Sequence, residues 1–241
     1  MIKLLNTIDF DSIDSTSTYI KNNYKTLKDF TFVSASYQES GRGRMGRCWE
    51  SSKGENLLFS LLLKDEELIN KYSCVSILSG TVILSVLKNI YRIDNVKIKW
   101  PNDVYINDKK ACGILLEGVS VSKKIECVIV GIGINVNQKE FLNSNATSIS
   151  LELKKDIDLN KFKLEIYENL LQELEKLKNN NSDYLSIIRE NNYLKEKEVY
   201  ANINGERVLS KVIDINSDNS IKIIREGKEY NLYSDEITFH N

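Results

Sequence analysis

Three features of the 241-residue sequence predict an α+β fold, with a mixed or antiparallel sheet packed by helices and a small β-barrel at the C-terminal end. Two stretches, Tyr72 to Ile90 and Phe162 to Leu177, carry apolar residues at steps of three and four, the spacing of one helical face. Around them run short segments rich in β-branched and aromatic residues, the pattern of buried strands. Over the last fifty or so residues the helical period gives way to short strands separated by turn pairs. The expected units are therefore residues 1–192 and a small barrel at 193–241. With 41% hydrophobic residues the chain is long enough to bury one substantial core.

Taken in order, Asp14-Ser15-Thr16-Ser17 stands just ahead of Tyr19-Ile20, and oxygen-bearing side chains in that position start helices. Phe30 to Ala35 reads as a strand and Asn56 to Leu63 as a buried one, with a glycine–arginine loop between them. Val75, Leu78, Val82, Val86 and Ile90 mark a helix that packs on the sheet. Val96 to Trp100 alternates, Val104 to Ile106 resumes, and Asn107-Asp108 supplies a turn before Ala111 to Glu117, giving a hairpin with lysines just past its tip. Ile125 to Val130 is a further strand, ending in Gly131-Ile132-Gly133-Ile134-Asn135. The second long helix takes Asn160 as its cap and ends at Lys178 to Asn181, and a short helix follows around Tyr184 to Arg189. Strands at Glu198 to Ile203, Val208 to Ile215, Ser220 to Arg225 and Tyr230 to Tyr233 are divided by Asn204-Gly205, Asp218-Asn219 and Glu226-Gly227.

Composition excludes several kinds of function. Lys and Arg total 33 against 34 Asp and Glu, so a net charge of -1 gives no general attraction to nucleic acid or anionic membrane, and any anion site must be local. The first residues hold no sustained apolar run, which predicts a cytoplasmic protein without a signal or a membrane span. Cys48, Cys74, Cys112 and Cys127 lack the close spacing of a zinc or redox pair and read as free thiols. The single histidine, His240, sits one residue from the end, which removes support for serine–histidine or cysteine–histidine catalysis.

Gly41-Arg42-Gly43-Arg44-Met45-Gly46-Arg47 contains G-x-G-x-x-G, but a dinucleotide turn needs a helix after its third glycine. Here Ser51-Ser52-Lys53-Gly54 and then a strand follow, so that reading fails. What remains is a loop of three guanidinium groups able to enclose phosphate or carboxylate, or a solvated basic loop. Lys99-Trp100-Pro101-Asn102-Asp103 contains the only proline, which presents Asn102 and Asp103 at a rigid corner. Asp103 there could hold a lysine, orient a ligand amide, help place a Mg²⁺, or simply cap a turn. Lys110, three residues before Gly113, could stabilise negative charge growing on a carboxylate or α-phosphate, or be merely solvated.

Together these segments resemble the biotin–protein ligase family. The likeness lies in the arginine–glycine loop continuing to Trp49 and on through Ser51-Ser52-Lys53-Gly54-Glu55-Asn56-Leu57, in Lys99 to Asp103, in K-x-x-G-I-L-x-E at Lys110 to Glu117 and in G-x-G-I-N at Gly131 to Asn135. Order and spacing agree from Asp14 to Ile237. Departures are Ser17 for an asparagine, Ser52 for a proline, and Ser234-Asp235 ahead of Glu236-Ile237, where the family often has a glycine.

The resemblance implies a catalytic unit of the biotin/lipoate ligase kind with an SH3-like C-terminal barrel. It implies formation of biotinyl-5'-AMP from biotin and Mg²⁺-ATP, then transfer to a lysine of a biotin carboxyl carrier domain, of the acetyl-CoA carboxylase type. By the same resemblance Ser15, Thr16, Ser17, Gln38, Arg42, Gly43, Arg44, Lys110 and Gly113 bind biotin, and Lys110, Arg42 and Arg44 are catalytic. Arg42, Arg44, Arg47, Trp49, Asn102, Asp103 and Asn135 serve ATP, Asp103 being the candidate metal ligand, and Gly131 and Gly133 shape the adenine or ribose pocket. Relatives often form homodimers. Some carry an N-terminal repressor domain, for which the residues before Ser15 leave no room, so no DNA partner is expected. The rivals are a lipoate ligase or octanoyl transferase of the same fold, the latter tempting because of Cys112, and a biotin sensor without chemistry.

Overall fold

The computed structural model describes residues 6–203 and 205–233. A seven-stranded sheet is formed by β1 (Asn6–Phe10), β2 (Thr31–Ala35), β3 (Asn56–Leu63), β4 (Val96–Lys99), β5 (Asp103–Ile106), β6 (Lys109–Val121) and β7 (Lys124–Asn135). Its spatial order is β1-β2-β3-β7-β6-β5-β4, and only β1 and β2 pair in parallel, so the sheet is mixed as expected. The α+β class is thus found, with strands and helices in the expected sequence.

β3 is buried along its whole length because both faces of the sheet are covered. Successive side chains point to opposite faces. Leu57, Phe59, Leu61 and Leu63 enter the main core, while Leu62 joins Ile20, Val33, Cys127 and Ile129 beneath α1 (Thr16–Asn23). The main core is closed by α3 (Tyr72–Asn89) and α5 (Leu159–Lys178), the two periodic stretches. α3 is long and apolar enough to cross a membrane by length and composition, yet here most of it is buried against the sheet and α5. Phe32 and Tyr167 stack at the centre with ring centroids 3.9 Å apart, and Phe59 packs tilted against both.

Some elements differ from expectation. β1 was not foreseen, nor were the five-residue helices α2 (Glu66–Asn70) and α4 (Ile149–Leu153). α5 is capped by Asp158, whose carboxylate accepts from the Lys161 amide at 3.0 Å, and not by Asn160, which lies within the first turn. β6 and β7 run past Glu117 and through Gly131 to Asn135 as one long antiparallel ladder.

After α6 (Tyr184–Glu190) come β8 (Glu198–Ile203), β9 (Glu206–Ile215), β10 (Ile221–Arg225) and β11 (Lys228–Leu232), which pair in sequence as a four-stranded antiparallel sheet. This small sheet stands where the barrel was expected. Gly205, Asn219 and Gly227 take positive φ of 84°, 68° and 76° in its turns, as their residue types favour. Asn204, Ser234-Asp235, Glu236-Ile237 and His240 lie outside the described residues. The small sheet shares the main apolar core, into which Val199, Val212, Ile221 and Ile223 project.

Candidate active site

A cleft of about 520 Å³ opens between α1, the loop joining β2 to β3, the β4–β5 corner and the middle of β6 and β7. Every residue singled out in the sequence for biotin or ATP lines it, from Ser15 through Asn135.

One end is built from hydroxyls. Ser15 caps α1, and this places Thr16 and Ser17, both buried, on the first helical turn facing β3. The Thr16 amide and hydroxyl both donate to Gln38 Oε1, at 2.8 and 3.0 Å. Thr16 Oγ1 and Ser17 Oγ each contact Ser60 Oγ, at 2.7 and 2.8 Å. Ser60 was missed in the sequence, although a serine inside an otherwise apolar buried strand is itself a signal, since a buried hydroxyl needs a partner. Gly131 belongs to this end too, because a Cβ there would come within 2.8 Å of Ser17 Oγ. It does not share the Asn135 end with which the sequence grouped it.

The other end is cationic and aromatic. The loop folds back on itself: Gly43 N donates to Arg47 O at 2.6 Å, Trp49 N to Gly41 O at 2.9 Å, and Met45 and Gly46 adopt positive φ. No helix follows its last glycine, since β3 comes next, in agreement with rejecting a dinucleotide turn. Arg42 pairs with Glu117 at 3.1 Å, and Arg44 donates to Asn102 Oδ1 at 3.3 Å, so the loop is tied to β6 and to the corner. Asn102 is held in turn by donating to Ile114 O at 2.9 Å.

The Trp49 ring packs closely against the backbone of two paired glycines, Gly113 on β6 and Gly133 on β7. A Cβ on Gly133 would come within 2.5 Å of the ring and one on Gly113 within 2.7 Å, so only glycine lets the indole lie there. The Lys110 ammonium sits 5.4 Å from the ring centroid and 2.8 Å from Asp103 Oδ1, an ion pair without hydrogen-bond alignment. Burial pushes the nearby Lys99 ammonium below its usual pKa, and Lys110, Lys197 and Arg47 add to this while Asp103 opposes it. Asn135 donates to Thr147 O at 3.0 Å, and its buried Oδ1 has no partner among the described residues.

Asp103 faces an ammonium and no group of three acids, histidines or cysteines occurs among the described residues, so a Mg²⁺ here would take most of its ligands from nucleotide phosphates and water. The cleft can hold an elongated ligand with a polar head at the hydroxyls and negative charge beneath the arginines and Lys110.

Cys112 faces away from this chemistry. It is fully buried in the main core, and burial holds its thiol far above the usual range, which keeps it from acting as a nucleophile. Cys112→Ser is therefore expected to change turnover by less than about threefold, and a thiol reagent should modify exposed Cys48 well before Cys112 or Cys127. Labelling kinetics followed by peptide mass spectrometry would check the order of reaction.

Residues 10–135 match the Biotin/lipoate A/B protein ligase family. The bifunctional ligase/repressor BirA of Escherichia coli is 36% identical over 121 residues, which are 50% of this chain and 37% of the relative. Its Bacillus subtilis counterpart is 36% identical over 152 residues, 61% of this chain and 46% of the relative. The matched stretches therefore span less than half of these curated relatives. Among solved structures, the biotin protein ligase from Aquifex aeolicus in complex with biotin and ATP superposes with a TM-score of 0.85 at 30% identity, covering 98% of each chain.

Proposed function

This chain belongs to the biotin/lipoate A/B protein ligase family, and from that premise we propose that it forms biotinyl-5'-AMP and transfers biotin to a carrier lysine. The observation that carries the reading is the meeting, in one cleft, of the Thr16–Ser17–Gln38–Ser60 cluster with Arg42, Arg44 and the Lys110–Asp103 pair. A neutral polar ring and an anionic reaction centre have to be held at once, and the cleft provides an end for each. The related Aquifex aeolicus enzyme was solved with biotin and ATP.

In the first step a biotin carboxylate oxygen attacks the α-phosphorus of ATP, a new O–P bond forms, and pyrophosphate departs. Arg42 and Arg44 close over the carboxylate and phosphates, and Lys110 opposes the charge concentrated at the reacting oxygens. Asp103 holds the Lys110 ammonium in place before the substrates arrive. A magnesium ion arriving with the nucleotide would screen the triphosphate; the residues here act on the α-phosphate side. Trp49 walls the nucleotide end, and the unpartnered Asn135 Oδ1 accepts from a base or ribose donor. In the second step the neutral acceptor amine attacks the biotinyl carbonyl carbon, the acyl–phosphate bond breaks, AMP leaves with its electron pair, and the proton lost by the amine passes to water.

The acceptor is read as a biotin carboxyl carrier domain of the acetyl-CoA carboxylase type, and the setting as cytoplasmic. The net charge of -1 supports a ligase without an operator-binding footprint. Cys112 in the core speaks against an octanoyl transferase. The test is ATP-dependent labelling of a carrier domain with biotin, read by streptavidin blot. Labelling that needs both biotin and ATP is expected, whereas tight biotin binding with no labelling would favour a sensor, and labelling with lipoate in its place would move the assignment to the other branch.

A further inference from the structure

The corner that carries Asn102 and Asp103 is braced from outside its own sheet. Trp100, just before Pro101, is only 2% exposed, and a buried indole N–H must find an acceptor. Its acceptor is the backbone carbonyl of Asn219, at 3.0 Å, in the turn between β9 and β10 of the small sheet. This turn approaches from a part of the chain 119 residues further on.

The turn is built to aim that carbonyl. Asn219 takes a φ of 68°, which asparagine tolerates better than most residues. Asn219 N donates to Asn216 O at 3.0 Å, and the Asp218 carboxylate accepts from both the amide and the hydroxyl of Ser220. The Asn219 side chain is then gripped from two sides. Tyr184 on α6 donates to its Oδ1 at 3.1 Å, and its Nδ2 meets Cys74 Sγ on α3 at 3.2 Å. Asn219 is 7% exposed, an unusual depth for a turn asparagine. A second contact from α3 reaches the same corner, since Ser76 Oγ lies 3.4 Å from Pro101 O.

We propose that Asn219 is a positioning residue for adenylate formation, which fixes Trp100 so that Asn102 and Asp103 meet Arg44 and Lys110. The proposal rests on the adenylation reading above. Held by Tyr184 and Cys74, Asn219 makes the small sheet part of the machinery that presents the Lys110–Asp103 pair. A loosened Trp100 would let the corner drift, and the partners at 3.3 and 2.8 Å are the first contacts to suffer.

Two variants of the full chain test this. Asn219→Ala removes both side-chain contacts and disfavours the positive φ, while Tyr184→Phe removes only the hydroxyl that donates to Asn219. Asn219→Ala should lower kcat/KM for ATP about tenfold, with KM for biotin within about twofold, and Tyr184→Phe should do so about threefold. Asn219→Asp, which keeps the left-handed preference and the acceptor for Tyr184, should recover most of the loss. Without any ligand, hydrogen exchange across residues 100–104 should quicken in the first two variants while the β3–β7 ladder keeps its protection.

Unchanged exchange and unchanged kcat/KM for ATP in Asn219→Ala would overturn the proposal. So would equal rises in KM for ATP and biotin with protection lost throughout the sheet, because that describes general destabilisation. If the wild-type chain makes no biotinyl product but exchange still rises only at the corner, the brace of Asn219 on the corner stands and the adenylation reading falls.

Discussion

Lys110→Ala should lower the rate of biotinyl-adenylate formation by about 10² to 10³-fold, equivalent to about 3–4 kcal/mol of transition-state stabilisation. The size follows from where the ammonium stands. It is part-buried in the wall of the cleft, 2.8 Å from Asp103 and over the ring of Trp49, so water competes with it less than at an open surface. Negative charge on the reacting oxygens is greatest in the transition state, and a group that meets it there acts on kcat more than on KM. Pyrophosphate release from the full chain with biotin and ATP measures the step directly. Lys110→Arg should recover only part of the rate, because a planar fork cannot replace a compact ammonium within the same space. A Lys110→Ala protein with near wild-type pyrophosphate release would remove this lysine from the chemistry.

Gly133→Ala should be nearly as damaging, although it removes no functional group. The added methyl would lie 2.5 Å from Trp49 Cε2 and 2.7 Å from Nε1, and Gly113 leaves the ring no relief on the neighbouring strand. The ladder around Gly133 is fixed by its pairing with Leu58 and Gly113, so the indole must lift and the loop with it. Displacing the cleft wall by an ångström or so predicts about a 10²-fold loss in kcat/KM for ATP, with only a small change in thermal stability. Non-additivity is the signature of this cause. Trp49→Ala should cost activity by itself, and adding Gly133→Ala to it should cost little more. Full additivity of the two would show that the methyl acts elsewhere.

Much of the frame could be read from local pattern, and the reasons for success and failure are physical. Helix α5 was visible because it buries one face along its length, α3 because its largest apolar residues recur at helical spacing although it is buried on every side from Ile77 to Leu84, and β3 because both faces of the sheet are covered. β1 escaped because an edge strand of five residues with alternate burial holds too few apolar residues to register. α2 and α4 are shorter than two turns, so period is uninformative, and only their caps, Asp65 and Ser148, could have marked them. The glycines of β7 looked like a strand end, yet they lie mid-ladder, where Ser17 and Trp49 approach the backbone. The members of the site were legible as motifs, and the structure gathers them in one cleft. Their mutual arrangement was not. The Trp49 stack, Ser60 and the brace from Asn219 each join residues far apart in sequence, and no local signal records such meetings.

The hydroxyl cluster also has a direction. Gln38 Oε1 accepts from the Thr16 amide, which can only donate, and so the carboxamide is oriented with its Nε2 turned away from Thr16. Thr16 spends its one hydrogen on the same oxygen, Ser60 must then give its hydrogen to Thr16, and Ser17 must give its own to Ser60. What is left over is a lone pair on Ser17 and an amide N–H on Gln38. A cyclic urea, with ring N–H beside ring C=O, complements that pair in polarity as well as in shape. A dithiolane ring carries neither group and would leave both unsatisfied, so this relay of protons favours a biotin-type head over a lipoyl one within the same fold.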